Sequence, residues 1–219
     1  VISDFRLKDI NAGGEGAPLA PIFHQLIATK KKIDLPVCIL NIGGISNITI
    51  VKEPVGSFNF TSRDIGPGNC LIDSWVRKNS KMKFDESGLL AASGNRNEII
   101  FEQAQELFSN RSNQNVLSFD VSDFDVSFVR GLSLKDGATT LTDFTASIIG
   151  SSLTSILSNF KNKIPKVLVC GGGRKNKVLI EKIKKNTLPE IIIQSIDDYG
   201  VDGDYVESRA FAFLAIRSI

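Results

Sequence analysis

Apolar and polar positions along the chain fall into runs of two periods. Val37-Cys-Ile-Leu-Asn-Ile42 is nearly all apolar, as a buried strand reads, whereas Asn47-Ile-Thr-Ile-Val51 alternates, as a half-exposed strand does. Gly43-Gly44 turns the chain between them, and a third run, Ser57–Thr61, follows a Glu53-Pro-Val-Gly56 turn. Three β-runs at such short intervals predict an antiparallel meander. Lys166-Val-Leu-Val-Cys170 and Glu190-Ile-Ile-Ile-Gln194 predict two more strands, and Val1–Arg6 reads as the end of another.

The longer period predicts helices. Pro18–Thr29 carries Leu19, Ile22, Phe23, Leu26 and Ile27 on one side. After Asn69, a good N-cap residue, Leu71, Ile72, Trp75 and Val76 form an apolar face. Helices are also expected at Asn97–Phe108, Asn176–Lys185 and Tyr205–Ile219. The longest, Thr139–Phe160, places Leu141, Phe144, Ile148, Leu153, Ile156 and Leu157 near helical spacing, with Thr140 and Asp143 reading as its cap. Lys78 to about Asp136 is polar and irregular, an insertion whose Ser109–Asn115 centre reads as a loop. The resulting order, β-β-β-α-(insert)-α-β-α-β-α, predicts an α/β fold with a mixed sheet and helices on both faces. It is the order of ribonuclease H-like domains, which include the actin/hexokinase/sugar-kinase superfamily.

Composition narrows the function classes. At 219 residues, 42% hydrophobic and 23% charged, the chain has the make-up of an ordinary globular protein. A net charge of +2 gives no large basic field, so a nucleic-acid partner is not expected. Cys38, Cys70 and Cys170 are odd in number and lack CxxC spacing, which argues against a disulfide framework or zinc site and suits a reducing compartment. No stretch is long and apolar enough to span a membrane as a helix, so no membrane partner is expected. The single histidine, His24, reads as a packing or surface residue. The chain starts without Met and stops inside a helical pattern, so it is expected to be part of a longer protein.

Candidate chemistry gathers at three glycine turns at strand ends: Gly43-Gly44, Gly66-Pro-Gly68 and Gly171-Gly-Gly173. Each lets backbone N–H groups approach an anion, the last two at a helix N-terminus. Singly, each is only a tight turn; as a set in one mixed sheet they point to a nucleotide cleft. Neither a P-loop nor a dinucleotide fingerprint is present. Asp64, just before the second turn, reads on local pattern as a carboxylate capping N–H groups; beside a bound phosphate it reads as a general base. Glu207, near the start of the last helix, is equally a dipole-favoured surface residue.

Together Leu40-Asn-Ile-Gly-Gly-Ile-Ser-Asn-Ile-Thr49, Asp64-Ile-Gly-Pro-Gly-Asn69, Val169-Cys-Gly-Gly-Gly173 and Glu207-Ser-Arg-Ala-Phe-Ala-Phe-Leu-Ala215 resemble the anhydro-N-acetylmuramic acid kinases. Asp4-Phe-Arg6 with Asp9, Gly13–Leu19 and Asp85–Gly94 extend the resemblance over nearly the whole chain. It implies a cytoplasmic enzyme of cell-wall (peptidoglycan) recycling that uses ATP, Mg²⁺ and water to convert 1,6-anhydro-N-acetylmuramic acid into N-acetylmuramic acid 6-phosphate. It also implies a homodimer of two-lobed subunits. Residues 1–35 would then be an inter-lobe segment and helix, and 36–219 the ribonuclease H-like C-terminal lobe with its insertion around 80–136.

By the same resemblance, Asp64 would be the base that activates water. Gly43, Gly44, Asn47, Gly66, Gly68 and Asn69 would serve the phosphates, and Gly171, Gly172, Gly173 and Asn176 the nucleoside. Arg6, Asp9 and Glu207 would serve the sugar; metal ligands stay unassigned. Three departures stand out. Ser62-Arg63 replaces a usual Gly-Phe, and Glu15 stands where glutamine is usual. The family's N-terminal Gly-Thr-Ser-x-Asp-Gly phosphate loop is missing, so these 219 residues alone are expected to have little or no kinase activity. A non-catalytic nucleotide-binding or regulatory protein of the same fold is the alternative, and a different sugar kinase a third reading.

Overall fold

The computed structural model describes residues 4–13, 16, 19–56, 59–112, 119–160 and 164–218. Within them the elements run α1 (Phe5–Asn11), α2 (Pro21–Lys30), β1 (Val37–Ile42), β2 (Ile45–Val51), β3 (Phe60–Pro67), α3 (Cys70–Asn79), α4 (Leu89–Ser93) and α5 (Glu98–Ser112). They continue with α6 (Leu134–Leu157), β4 (Lys166–Cys170), α7 (Lys177–Lys185), β5 (Ile193–Ser195) and α8 (Val206–Arg217).

One sheet has the order β3-β2-β1-β4-β5. β1 pairs antiparallel with β2 and parallel with β4; β2–β3 is antiparallel and β4–β5 parallel. This is the expected ribonuclease H-like arrangement, with β1 central. Its apolar run follows from that position, because alternate side chains enter different cores. Cys38, Leu40 and Ile42 pack with Ile149, Leu153 and Leu157 of α6 and Leu179 and Ile183 of α7. Val37 and Ile39 pack with Ile27 and Ala28 of α2, Val206 of α8 and Leu168 of β4. Helices therefore cover both faces. A further cluster joins the apolar face of α3 to Leu141, Phe144 and Ile148 of α6 and to Val126 and Val129 of the insertion. Cys38, Cys70 and Cys170 are buried free thiols.

Several local expectations are corrected. Phe5 and Arg6 begin a helix, not a strand end, and Phe5 packs on Phe211 of α8 with ring centroids 6.0 Å apart. Residues 1–3 lie outside the described residues, as do Gly14, Glu15 and Asn113–Asn115. Ser109–Ser112, expected in a loop, complete α5. α6 starts five residues before Thr139, and its cap is Ser133, whose hydroxyl accepts from the Asp136 N–H. Thr140 instead donates to the Asp136 carbonyl at 2.8 Å, and Asp143 pairs with Lys182 of α7 at 2.6 Å. β5 begins at Ile193, three residues later than Glu190.

The correction that matters most for the site is in β3. This strand runs through Asp64, Ile65 and Gly66 to Pro67 rather than turning there. Asn47 pairs with Asp64 and Ser46 with Gly66, leaving Ile65 as the extra residue of a bulge, with Gly66 at φ 145°. Such a backbone angle favours glycine, and a bulge re-aims the side chains beside it.

Candidate active-site cleft

The C-terminal ends of β1 and β4 are neighbours, since Asn41 pairs with Cys170, so the loops that follow emerge side by side. There a cleft of about 420 Å³ opens between the sheet end and helices α2 and α8. Asp64, Asn47, Gly43, Gly171, Gly172, Arg6 and Glu207 all line it. Seven of the residues singled out from sequence thus converge from β1–β2, β3, the β4 loop, α1 and α8. Gly44, Gly66, Gly68, Asn69, Gly173, Asn176 and Asp9 are not in the lining.

The second set has visible structural work. The N–H groups of Gly68 and Asn69 donate to the carbonyls of Gly44 and Gly43, both at 2.8 Å, and Cys70 N–H donates to Gly44 at 3.2 Å. The Cys70 N–H at the start of α3 and the two N–H groups before it are therefore spent on the β1–β2 turn instead of being offered to an anion. The Asn69 side chain does not cap its helix either; Nδ2 donates to the carbonyls of Ile42 at 3.3 Å and Gly43 at 3.1 Å. In a planar trans peptide N–H and C=O point oppositely, so fixing the Gly43 carbonyl on α3 turns the Gly44 N–H away from that helix. Gly68 is glycine because a Cβ would press on the Gly43 carbonyl oxygen. Gly171, at φ 80°, would press a Cβ on Asn41 Oδ1. The N–H groups of Gly44, Gly172 and Gly173 donate to no main-chain carbonyl among the described residues. Asn176 caps α7, accepting from Leu179 N–H at 3.0 Å, and Asp9 Oδ2 accepts from Gly16 N–H at 2.8 Å.

Asp64 is half-buried, and Oδ2 accepts a hydrogen bond from Phe119 N–H at 2.9 Å. Burial pushes its carboxyl above the ordinary carboxylate value, and the Phe119 N–H opposes that rise. Sequence reasoning placed the supporting N–H groups at the helix after Asp64; the donor comes instead from the insertion.

Other lining residues were not foreseen. Asn41 was legible as a polar residue in an apolar strand, and it accepts from Cys170 Sγ at 3.7 Å. Asp120 and Phe119 come from the insertion, which carries no local motif. Asp204 lines the rim and belongs to a charged cluster. In it Arg174, 8% exposed, meets Asp197 at 2.7 Å, Asp204 at 2.5 Å and Asp202 at 3.7 Å, and donates to the Gly171 carbonyl at 3.1 Å. The guanidinium holds the Asp197 and Asp204 carboxyls below the usual range. This cluster braces the Gly171 turn from behind. His24, expected to be a packing or surface residue, is buried and also lines the cleft.

Among the described residues no group of three or more His, Cys, Asp or Glu is placed to hold a metal ion. None of their helices is long and apolar enough to cross a membrane.

Comparison with known proteins matches residues 1–219 to the family described as anhydro-N-acetylmuramic acid kinase. The Pelagibacter ubique anhydro-N-acetylmuramic acid kinase is 52% identical over 218 residues, covering 100% of this chain and 58% of that protein. The Zymomonas mobilis anhydro-N-acetylmuramic acid kinase is 38% identical over 221 residues, covering 100% and 57%. The chain thus spans less than two thirds of these relatives. Among solved structures, component A of the Acidaminococcus fermentans (R)-2-hydroxyglutaryl-CoA dehydratase is similar with a TM-score of 0.49 at 16% identity, over 87% of this chain and 68% of that one.

Proposed function

The chain belongs to the anhydro-N-acetylmuramic acid kinase family, and from that premise we propose that it forms the catalytic C-terminal lobe of a kinase that phosphorylates 1,6-anhydro-N-acetylmuramic acid. The observation that carries this reading is Asp64, a half-buried carboxylate in the cleft that also holds Arg6, Glu207, Gly43 and Gly171. Asp64 takes a proton from the water that attacks the anomeric carbon. The bridge oxygen leaves that carbon and accepts the γ-phosphoryl group of ATP, giving N-acetylmuramic acid 6-phosphate and ADP. A carboxyl with a raised pKa is a stronger base for that proton than an ordinary aspartate. The Gly172 N–H, in the cleft lining and without a main-chain acceptor among the described residues, is suited to an oxygen atom of the nucleotide. Arg6 supplies a cation and Glu207 an acceptor for the sugar.

Mg²⁺ retains much of its shell as water and substrate phosphate and needs one or two protein carboxylates. The donor set fits an ion delivered with the nucleotide and not a protein cage, with Asp120, Asp204 and Glu207 the lining carboxylates besides the base Asp64. Bound there, the ion would neutralise phosphate charge. The remaining elements of the reading are a homodimer, a cytoplasmic location, a role in peptidoglycan recycling, and little or no turnover by residues 1–219 alone.

The test uses the full-length parent protein, ATP and the anhydro sugar, following ADP and sugar 6-phosphate in ¹⁸O-labelled water. The expected result is label at the anomeric carbon and near-complete loss of turnover in Asp64→Asn. Phosphorylation without label would make it an ordinary sugar kinase. Nucleotide binding with no turnover of any sugar would favour the non-catalytic reading.

A further inference from the structure

His24 sits in α2 at 2% exposure, and its Nδ1 lies 2.9 Å from Thr49 Oγ1. Thr49 Oγ1 is 3.2 Å from Ser62 Oγ, and Ser62 Oγ donates to the Ile48 carbonyl at 2.9 Å. Counting hydrogens fixes the direction of this chain. A carbonyl only accepts, so the single Ser62 hydroxyl hydrogen goes to Ile48. The contact between Thr49 and Ser62 then requires Thr49 to donate, which leaves Thr49 an acceptor toward the imidazole. Nδ1 therefore carries the hydrogen, and Nε2 presents a lone pair. Burial lowers the imidazole pKa to about 4, so this neutral tautomer persists at neutral pH.

Thr49 and Ser62 form the cross-strand pair two residues along from Asn47 and Asp64 on the same two strands. Period-two alternation puts all four on one sheet face, and His24 lines the cleft together with Asn47 and Asp64. Nε2 has no hydrogen-bond partner among the described residues, nor is it one of the fully enclosed unpartnered atoms. A buried, neutral, orientation-locked acceptor thus opens on the cleft beside the carboxylate.

We propose that His24 is a specificity-determining residue, whose Nε2 accepts a hydrogen bond from a hydroxyl group of the sugar substrate. The inference rests on the sugar-binding reading of the cleft. The Thr49–Ser62 relay sets the tautomer, so the site selects a hydroxyl donor and penalises a deoxy or O-alkylated analogue, which would leave Nε2 unpaired.

The test uses the full-length parent. His24→Asn keeps a polar atom near Nδ1 but removes Nε2; His24→Gln keeps a polar atom near Nε2. The expected result is a sugar KM raised roughly 10-fold in His24→Asn, with kcat and the KM for ATP within about 2-fold, and partial recovery in His24→Gln. In ¹⁵N spectra, the His24 resonances, assigned by their loss in His24→Asn, are expected to show the Nδ1–H tautomer, with only Nε2 shifting when sugar is added. A parent that binds no sugar in calorimetry overturns the cleft reading and this inference together. A parent that binds sugar while His24→Asn binds it equally well overturns this inference alone. So does a fall in kcat and melting temperature with both KM values raised together and Nε2 unmoved, which would make His24 a packing residue.

Discussion

Phe119 N–H donates to Asp64 Oδ2 at 2.9 Å across 55 residues of sequence. It joins the edge strand of the sheet to the polar insertion and gives the carboxylate a fixed direction in the cleft. Burial raises the Asp64 pKa and this bond restrains the rise. In the full-length protein, kcat/KM for the sugar is expected to fall on the acid side as Asp64 protonates, with a midpoint above the ordinary aspartate value of about 3.9. Phe119→Pro, which has no N–H, moves that midpoint upward, whereas Phe119→Ala leaves it in place. A pH–rate profile of the three proteins checks the order.

Asp64→Asn keeps the size of the side chain and removes its basicity. Turnover is expected to fall by about 10²–10⁴-fold with nucleotide affinity unchanged. Steady-state kinetics beside calorimetric titration with ADP separates the two quantities.

Gly68→Ala places a methyl group against the Gly43 carbonyl that Asn69 N–H binds. The β1–β2 turn must shift, and the expected cost is about 1–3 kcal/mol together with weakened nucleotide binding. Gly131→Ala is the comparison, a glycine whose added Cβ meets nothing within 4 Å but whose φ of 101° makes it carry backbone strain alone. Urea titration of both variants measures the difference.

The Arg174 cluster has a definite sign with pH. Asp197 and Asp204 have folded-state pKa values below their unfolded ones, so their contribution is complete above the unfolded value near 3.9. It is lost as pH falls through the window beneath that value. Arg174→Met removes the cause, so its stability is expected to fall less steeply than the parent's below about pH 4. Chemical denaturation between pH 3 and 6 checks the slopes.

Cys38 and Cys170 are pushed up to about 12 by burial, and Cys70 to about 11. Thiolate is the reactive form, so all three are expected to resist a thiol reagent in the folded protein and react promptly in denaturant. Timed labelling with mass spectrometry reads each site.

The strands were legible where burial alone decides them. Val37–Ile42 and Lys166–Cys170 are enclosed on both faces, and their apolar runs mark their limits. β3 was cut short because Gly66 and Pro67 look like turn residues; at a sheet edge a proline needs no ladder partner, and a bulge accommodates the glycine. α6 begins inside the segment whose polar residues read as irregular, and it runs through Gly137, which is small because Trp75 packs directly on it. In the cleft, glycine turns and Asp64 were visible as residue types. Phe119, Asp120 and the orientation of His24 were not, because each depends on contacts between segments distant in sequence.

The pairing of Asn41 with Cys170 joins residues 129 apart, and it ends the β1–β4 ladder that sets the Gly43 and Gly171 loops side by side. Its consequence is kinetic. The β1–β2–β3 meander can form from local contacts, but the cleft exists only after the chain has closed the long loop that brings β4 to β1. Contacts of such separation form slowly, because loop entropy is lost before they yield any stabilisation. Nucleotide binding is therefore expected to return last in refolding, and during synthesis the open edge of β1 waits for more than a hundred residues to emerge.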